Sequence, residues 1–191
     1  MSERQASPSG TERLQAVAGE LYHLGTMLLG EGEATIGLVE QAIATAEIPA
    51  CTDEAKALHS ARVAMAAKAI ELLSQQDGSA LAAPSGEFGP PNCIGDDDLD
   101  AAGVSAEELE RLVSGPGRRQ LRQWLESLPV TERTIFVLRA IGGLSTPEVA
   151  GLLALHGGRA AQGWMTDAVR NLFRQALCSL ASQLLQDSAS R

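Results

Sequence analysis

Apolar residues recur at three- and four-residue steps along most of the chain, the spacing that lines one face of an α-helix. Leu14, Val17, Leu21, Leu24 and Leu28 form the first stripe, which Gly30-Glu31-Gly32 interrupts. Ile36, Val39, Ala42, Ile43 and Ala46 form the second, ending near Pro49. Thr52 is placed to cap a third helix, with Asp53 and Glu54 in its first turn, where the helix dipole favours acids. Its apolar face comprises Val63, Ala66, Ile70 and Leu73. Residues 12–76 therefore read as one small helical domain, preceded by a polar, disordered tail at 1–11.

From Gln75 to Pro91 the pattern dissolves into Gly, Ser, Pro and Ala, and Asp96-Asp97-Asp98-Leu99-Asp100 follows. Residues 77–104 read as a flexible acidic linker. Consecutive carboxylates lack the alternating ligands and glycine of a calcium loop, so the run reads as solvated. Ser105 opens a short helix that stops at Ser114-Gly115-Pro116-Gly117. Four more stripes follow within a second domain at 105–191. They are Leu121, Trp124, Leu125 and Leu128; Ile135, Leu138 and Ile141; Leu152, Leu153 and Leu155; and Val169, Leu172, Phe173, Ala176, Leu180 and Leu184. Trp124 and Trp164 read as core and turn packing.

Composition supports this picture. The apolar residues are mainly Ala and Leu, strong helix formers, and only 3 Phe, 2 Trp and 1 Tyr are present. The expected fold is all-α, two small helical domains joined by the linker. No apolar run approaches the roughly 20 residues that span a bilayer, so no membrane contact is expected. Met1 to Thr11 has no signal-peptide apolar region. Cys51, Cys93 and Cys178 are far apart, with no CxxC or CxxH spacing. That predicts neither zinc nor a disulfide framework, and points to a reducing cytoplasm.

Charge adds an asymmetry. The net charge is −9, but Met1 to Gly115 carries 6 Lys/Arg against 19 Asp/Glu, a balance of −13. Pro116 to Arg191 carries 9 Arg against 5 acids, a balance of +4. A sign change between halves points to a charged partner, or to two domains of independent composition.

The richest stretch runs from Leu128 to Ala150. Thr131 is placed to cap a helix whose first turn holds Glu132 and Arg133, and Gly142-Gly143 ends it. Ser145 then caps a second helix, with Pro147 and Glu148 in its first turn and capping-box spacing from Ser145 to Glu148. Helix, glycine stop and capped short helix make the opening half of a helix-turn-helix. The ordered residues Leu128-Pro129, Arg133, Phe136-Val137-Leu138-Arg139, Gly143-Leu144-Ser145 and Glu148-Val149-Ala150 closely resemble region 4 of bacterial sigma-70 factors, of the small extracytoplasmic-function type.

In that family the turn and recognition helix follow almost at once after the leucines matched by Leu152 and Leu153. Here His156 to Trp164 intervenes as an enlarged turn. Val169 to Ala176 then resembles the recognition helix, with Thr166 as cap and Asp167 in the first turn. Arg170 and Arg174 share a face, one turn apart, with Asn171 nearby. Arg can reach guanine bidentately and Asn can reach adenine; the same groups can instead hold phosphates or form a solvated face. The resemblance implies DNA contact by Arg118, Arg119, Arg122, Ser145, Thr146, Arg159, Arg170, Asn171 and Arg174.

The first domain is similar to the start of sigma region 2 in Leu21-Tyr22-His23-Leu24, Leu28-Leu29-Gly30-Glu31 and Leu38-Val39-Glu40-Gln41-Ala42. This implies polymerase contact by Leu38, Val39, Glu40 and Gln41. The family's next helix carries aromatic and basic residues that melt the promoter. Here Leu58 to Ser74 has no Phe, Tyr or Trp, and only Arg62 and Lys68 as firm bases. It lacks the aromatic platform on which unstacked bases are held.

Two readings follow. One is a sigma-like factor acting in transcription initiation on promoter DNA and core RNA polymerase. The other is a degenerate sigma-like protein that binds an anti-sigma factor or polymerase without opening promoters. Neither requires catalysis, a cofactor or a metal. His23, His59 and His156 form no recognisable arrangement with Cys or Ser, and the Gly pairs lack the strand and Gly-Lys-Ser/Thr of a phosphate loop.

Overall fold

The computed structural model describes residues 10–45, 53–84, 93–94, 96–99 and 102–189. Residues 1–9 of the tail expected at 1–11, and the readings placed on Ala46, Pro49, Cys51, Thr52 and Asp100, lie outside them, whereas Gly10 and Thr11 belong to a helix. The fold is all-helical. Eight α-helices run along the described residues: α1 Gly10–Leu29, α2 Glu33–Thr45, α3 Glu54–Gln76, α4 Ala106–Val113, α5 Arg118–Ser127, α6 Val130–Phe136, α7 Thr146–His156 and α8 Thr166–Ala189. None is long and apolar enough to cross a membrane.

α1, α2 and α3 pack on one another around Leu21, Leu24, Leu28, Met65, Ala66 and Ile70, all buried. The α2 stripe is rotated from the expected one. Ile36 is 50 % exposed, and Thr35 faces inward at 1 %. The cause is a close approach at Gly25, where an added Cβ would lie 2.7 Å from both the Thr35 methyl and the Met65 terminal methyl. The Thr35 hydroxyl meets its hydrogen-bonding need by donating to the Gly30 carbonyl at 2.7 Å. At the start of α3, Asp53 is the N-cap, its carboxylate accepting from the Ala55 N–H at 3.2 Å.

Phe136 centres the second half. It is fully buried, edge-on to Trp124 at 4.8 Å and tilted against Phe173 at 6.0 Å. The Trp124 indole donates to the Ser179 hydroxyl at 3.1 Å, so its polar edge is paired as burial demands. Leu152 and Leu153 of α7 are buried, whereas Leu155 is 79 % exposed. Two residues past Leu153 is about 200° round a helix, the opposite face.

The two halves share one apolar cluster, with α3 packed on α7 and α1 on the end of the α6 segment. Part of the stretch read as linker is built into that cluster. Leu81 is buried, its carbonyl accepts from the Trp164 indole at 2.8 Å, and the Ala83 N–H donates to the Ala160 carbonyl at 2.9 Å. Thr131 is not a cap: Pro129 holds the N-cap position of α6, and the Thr131 hydroxyl donates to the Ala80 carbonyl at 2.8 Å.

The cysteines also correct the sequence reading. Cys93 and Cys178, 85 residues apart, form a disulfide with a Cα separation of 6.1 Å. That separation lies within the usual span of such a bond. Local spacing carried no sign of it because the fold alone brings the pair together.

Candidate nucleic-acid interface

α6 continues as a π-helical turn over Val137–Ile141, which ends when the Gly142 N–H donates to the Val137 carbonyl at 2.8 Å. Gly143 follows at φ +66°, a conformation that favours glycine, and lets the Leu144 N–H reach the Leu138 carbonyl at 3.0 Å. The chain then enters α7 through a full capping box. The Ser145 side chain accepts from the Glu148 N–H, and the Glu148 carboxylate accepts from the Ser145 N–H at 2.7 Å. The Ser145 hydroxyl, which also donates to the Glu148 carboxylate at 2.5 Å, and then the Ser145 N–H, with His59 at 2.8 Å on the same carboxylate, hold the Glu148 carboxyl below its ordinary pKa. Stop, cap and scaffold helix thus match the expected arrangement.

The enlarged turn is ordered by contacts rather than by length. Arg159–Ala161 forms a 3₁₀ turn, and Ala161 and Trp164 are buried. The His156 ring lies 2.9 Å from the Glu71 carboxylate of α3. The Lys68 and His156 hydrogen bonds hold the Glu71 carboxyl below its ordinary range. α8 begins at Thr166 with Asp167 in its first turn, and Val169, Leu172 and Phe173 face the core.

The nine residues expected to meet DNA are not brought together on one open face. Arg119 and Arg159 are exposed. Arg118 and Arg122 point to the first half, at 3.7 and 2.8 Å from Glu31, and Arg122 chiefly lowers the Glu31 carboxyl pKa. Thr146, Arg170 and Arg174 face the stretch around Asp97. The Asp97 carboxylate lies 3.6 Å from Arg170 Nε and accepts from the Thr146 hydroxyl at 3.3 Å. Arg174 donates to the Ile94 carbonyl, and Arg170 also pairs with Asp167 at 2.9 Å. Asn171 is half-buried beside them, and Ser145 is held in its cap. The acid run is therefore no purely solvated linker, since Asp97 is engaged by the second half.

Sequence reasoning passed over Arg139, which organises this corner. Its guanidinium stacks 4.8 Å above the Phe173 ring, donates to the Leu144 carbonyl at 3.1 Å, and meets Asp97 at 3.4 Å. Burial lowers its pKa, and Asp97 opposes that by favouring the charged form. An acid run placed just before a basic domain was the signal that could have pointed to the pairing.

Of the residues matched to polymerase contact, Leu38 and Val39 are buried against the α1–α3 core, and Glu40 and Gln41 are exposed. Among the described residues no group of His, Cys, Asp or Glu is placed to hold a metal.

Residues 118–159 match the family model of sigma-70, region 4. That stretch is similar to region 4 of the sigma-70 family. The match takes in α5, α6, the π turn and α7, and it stops at Arg159, inside the enlarged turn. The region 4 helix-turn-helix is thereby anchored on its scaffold half, and α8 follows it. No curated protein and no solved structure matches the chain.

Proposed function

We propose that this chain is a sigma-factor-like DNA-binding protein of the extracytoplasmic-function type, acting in the bacterial cytoplasm in transcription initiation. It meets promoter DNA through its C-terminal half and core RNA polymerase through its N-terminal helices. The observation that carries this reading is the region 4 match on a capped scaffold helix, with α8, which carries Arg170 and Arg174 one turn apart, beyond it.

In this reading α7 is the scaffold and α8 enters the major groove. Arg170, Asn171 and Arg174 meet base edges or flanking phosphates, and Arg119 and Arg159 meet the backbone. On the first half, Glu40 and Gln41 face polymerase while Leu38 and Val39 hold α2 in place.

A salt titration of the reduced protein on promoter-containing duplex DNA tests the DNA reading. Each phosphate contact contributes about 0.9 to the log-log slope, so several arginines predict a steep fall in affinity. Failure to bind duplex at low salt would remove it. A second reading, a partner-binding protein of sigma ancestry, is supported by α3, whose span Glu54–Gln76 has no aromatic side chain for melted bases. Retention of core polymerase or an anti-sigma factor without any DNA affinity would favour that reading.

A further inference from the structure

The acidic stretch beside α8 sits where nucleic acid would have to come. Asp97 presents its carboxylate to Arg170, Arg139 and Thr146, and the Ile94 carbonyl takes Arg174. Ile94 itself is buried at 7 % exposure, so the stretch is seated rather than draped. A carboxylate and a phosphate are both anionic oxygen acceptors for a guanidinium, and an arginine holding one is not available in the same geometry to the other.

Charge pairing alone is a poor lock. The Arg170 and Asp97 side chains are 45 % and 30 % exposed, and such pairs are individually weak and screened by salt. The covalent tie supplies what they lack. Cys93, next to Ile94, is bonded to Cys178, one helical turn beyond Arg174 on α8. That bond fixes the acidic stretch to the helix it covers, and keeps its local concentration high against any competing anion. Cys93 is exposed, so a reductant can reach it.

We propose that the stretch carrying Ile94 and Asp97 is an intramolecular stand-in for nucleic-acid phosphate on α8, latched by the Cys93–Cys178 disulfide. The reading face is closed in the oxidised protein and opens on reduction. This rests on α8 being the DNA-facing helix. The opening step is thiol–disulfide exchange with a dithiol. A thiolate of the dithiol attacks one cysteine sulfur, its second thiolate resolves the mixed disulfide, and the dithiol leaves as its own disulfide. Two electrons and two protons pass to the chain, giving the free thiols of Cys93 and Cys178.

The test uses the full chain with Cys51→Ser throughout, so that one pairing is possible. Oxidised and dithiothreitol-reduced protein, Cys93→Ser and Asp97→Asn are compared in binding to labelled duplex DNA of randomised sequence. Hydrogen exchange over residues 93–99 is followed in parallel. Reduction and Cys93→Ser should each tighten binding about tenfold, and steepen the log-log salt slope by about two units, one each for Arg170 and Arg174. Asp97→Asn should weaken the hold in the oxidised state in the same direction. Exchange over 93–99 should rise on reduction. If exchange rises but no form binds DNA, the latch stands and the DNA reading fails. If affinity, slope and exchange are the same in both redox states, or intact mass shows that the two cysteines do not pair on oxidation, the proposal is overturned.

Discussion

The Ser74 hydroxyl donates a hydrogen bond to the Gly157 carbonyl at 2.9 Å, tying the last turn of α3 to the loop between α7 and α8. The next residue, Gly158, stands at φ +80°, and a Cβ there would lie 2.7 Å from the same hydroxyl oxygen. The longer loop is thus a docked element between the two halves. Gly158→Ala should destabilise the protein by about 1–3 kcal/mol from the positive-φ backbone alone, with a further cost from the clash. Adding Ser74→Ala should relieve the clash and leave the backbone cost. A thermal melt of Gly158→Ala indistinguishable from wild type would show the loop is not held in this way.

The capping box gives a prediction in pH. Ser145→Ala should cost about 1 kcal/mol by removing the α7 cap. The Glu148 carboxyl is lowered in the folded protein, chiefly by its bonds from Ser145. A lowered acid contributes stability above its unfolded pKa, and loses it as pH falls through the folded value. The gap between wild type and Ser145→Ala should therefore be full near neutrality and shrink in acid. A gap independent of pH in urea titrations would contradict the assignment.

Phe136 joins α5 and α8 through Trp124 and Phe173. Phe136→Ala should cost about 3–5 kcal/mol, combining lost transfer energy and a residual cavity. That is a large share of the roughly 5–15 kcal/mol that holds a domain folded. The denaturation midpoint should fall accordingly, and a shift worth under 1 kcal/mol would place the core elsewhere.

On duplex DNA, Arg170→Ala with Arg174→Ala should abolish sequence preference in a competition assay carried out on reduced protein. Arg119→Ala or Arg159→Ala should instead weaken all sequences alike, and reduce the salt slope by about one unit each. Preference that survives the double substitution would move base reading away from α8.

Much of this architecture was legible from residue order because helical spacing and capping are local. Leu21, Leu24 and Leu28, the Ser145–Glu148 box and the inward face of α8 are determined by neighbours three and four positions away. What escaped was tertiary in origin. Thr35 displaced Ile36 from the core because Gly25 lets two helices touch. Thr131 left its expected capping role for a carbonyl 51 positions earlier. Asp97 and Cys93 looked like linker residues until the fold laid them on α8. Arg170 and Arg174 were legible as a pair, but not the acidic stretch they face.

The widened turn at Val137–Ile141 bears on how far this corner tolerates change. A regular α-helix advances about 100° per residue, so the extra winding there sets the azimuth at which Arg139 leaves the backbone. Its perch above Phe173, and hence its reach to Asp97, is written in backbone pitch as much as in the choice of side chain. Shortening the segment by a single residue would keep every charge in the sequence and still turn that guanidinium away.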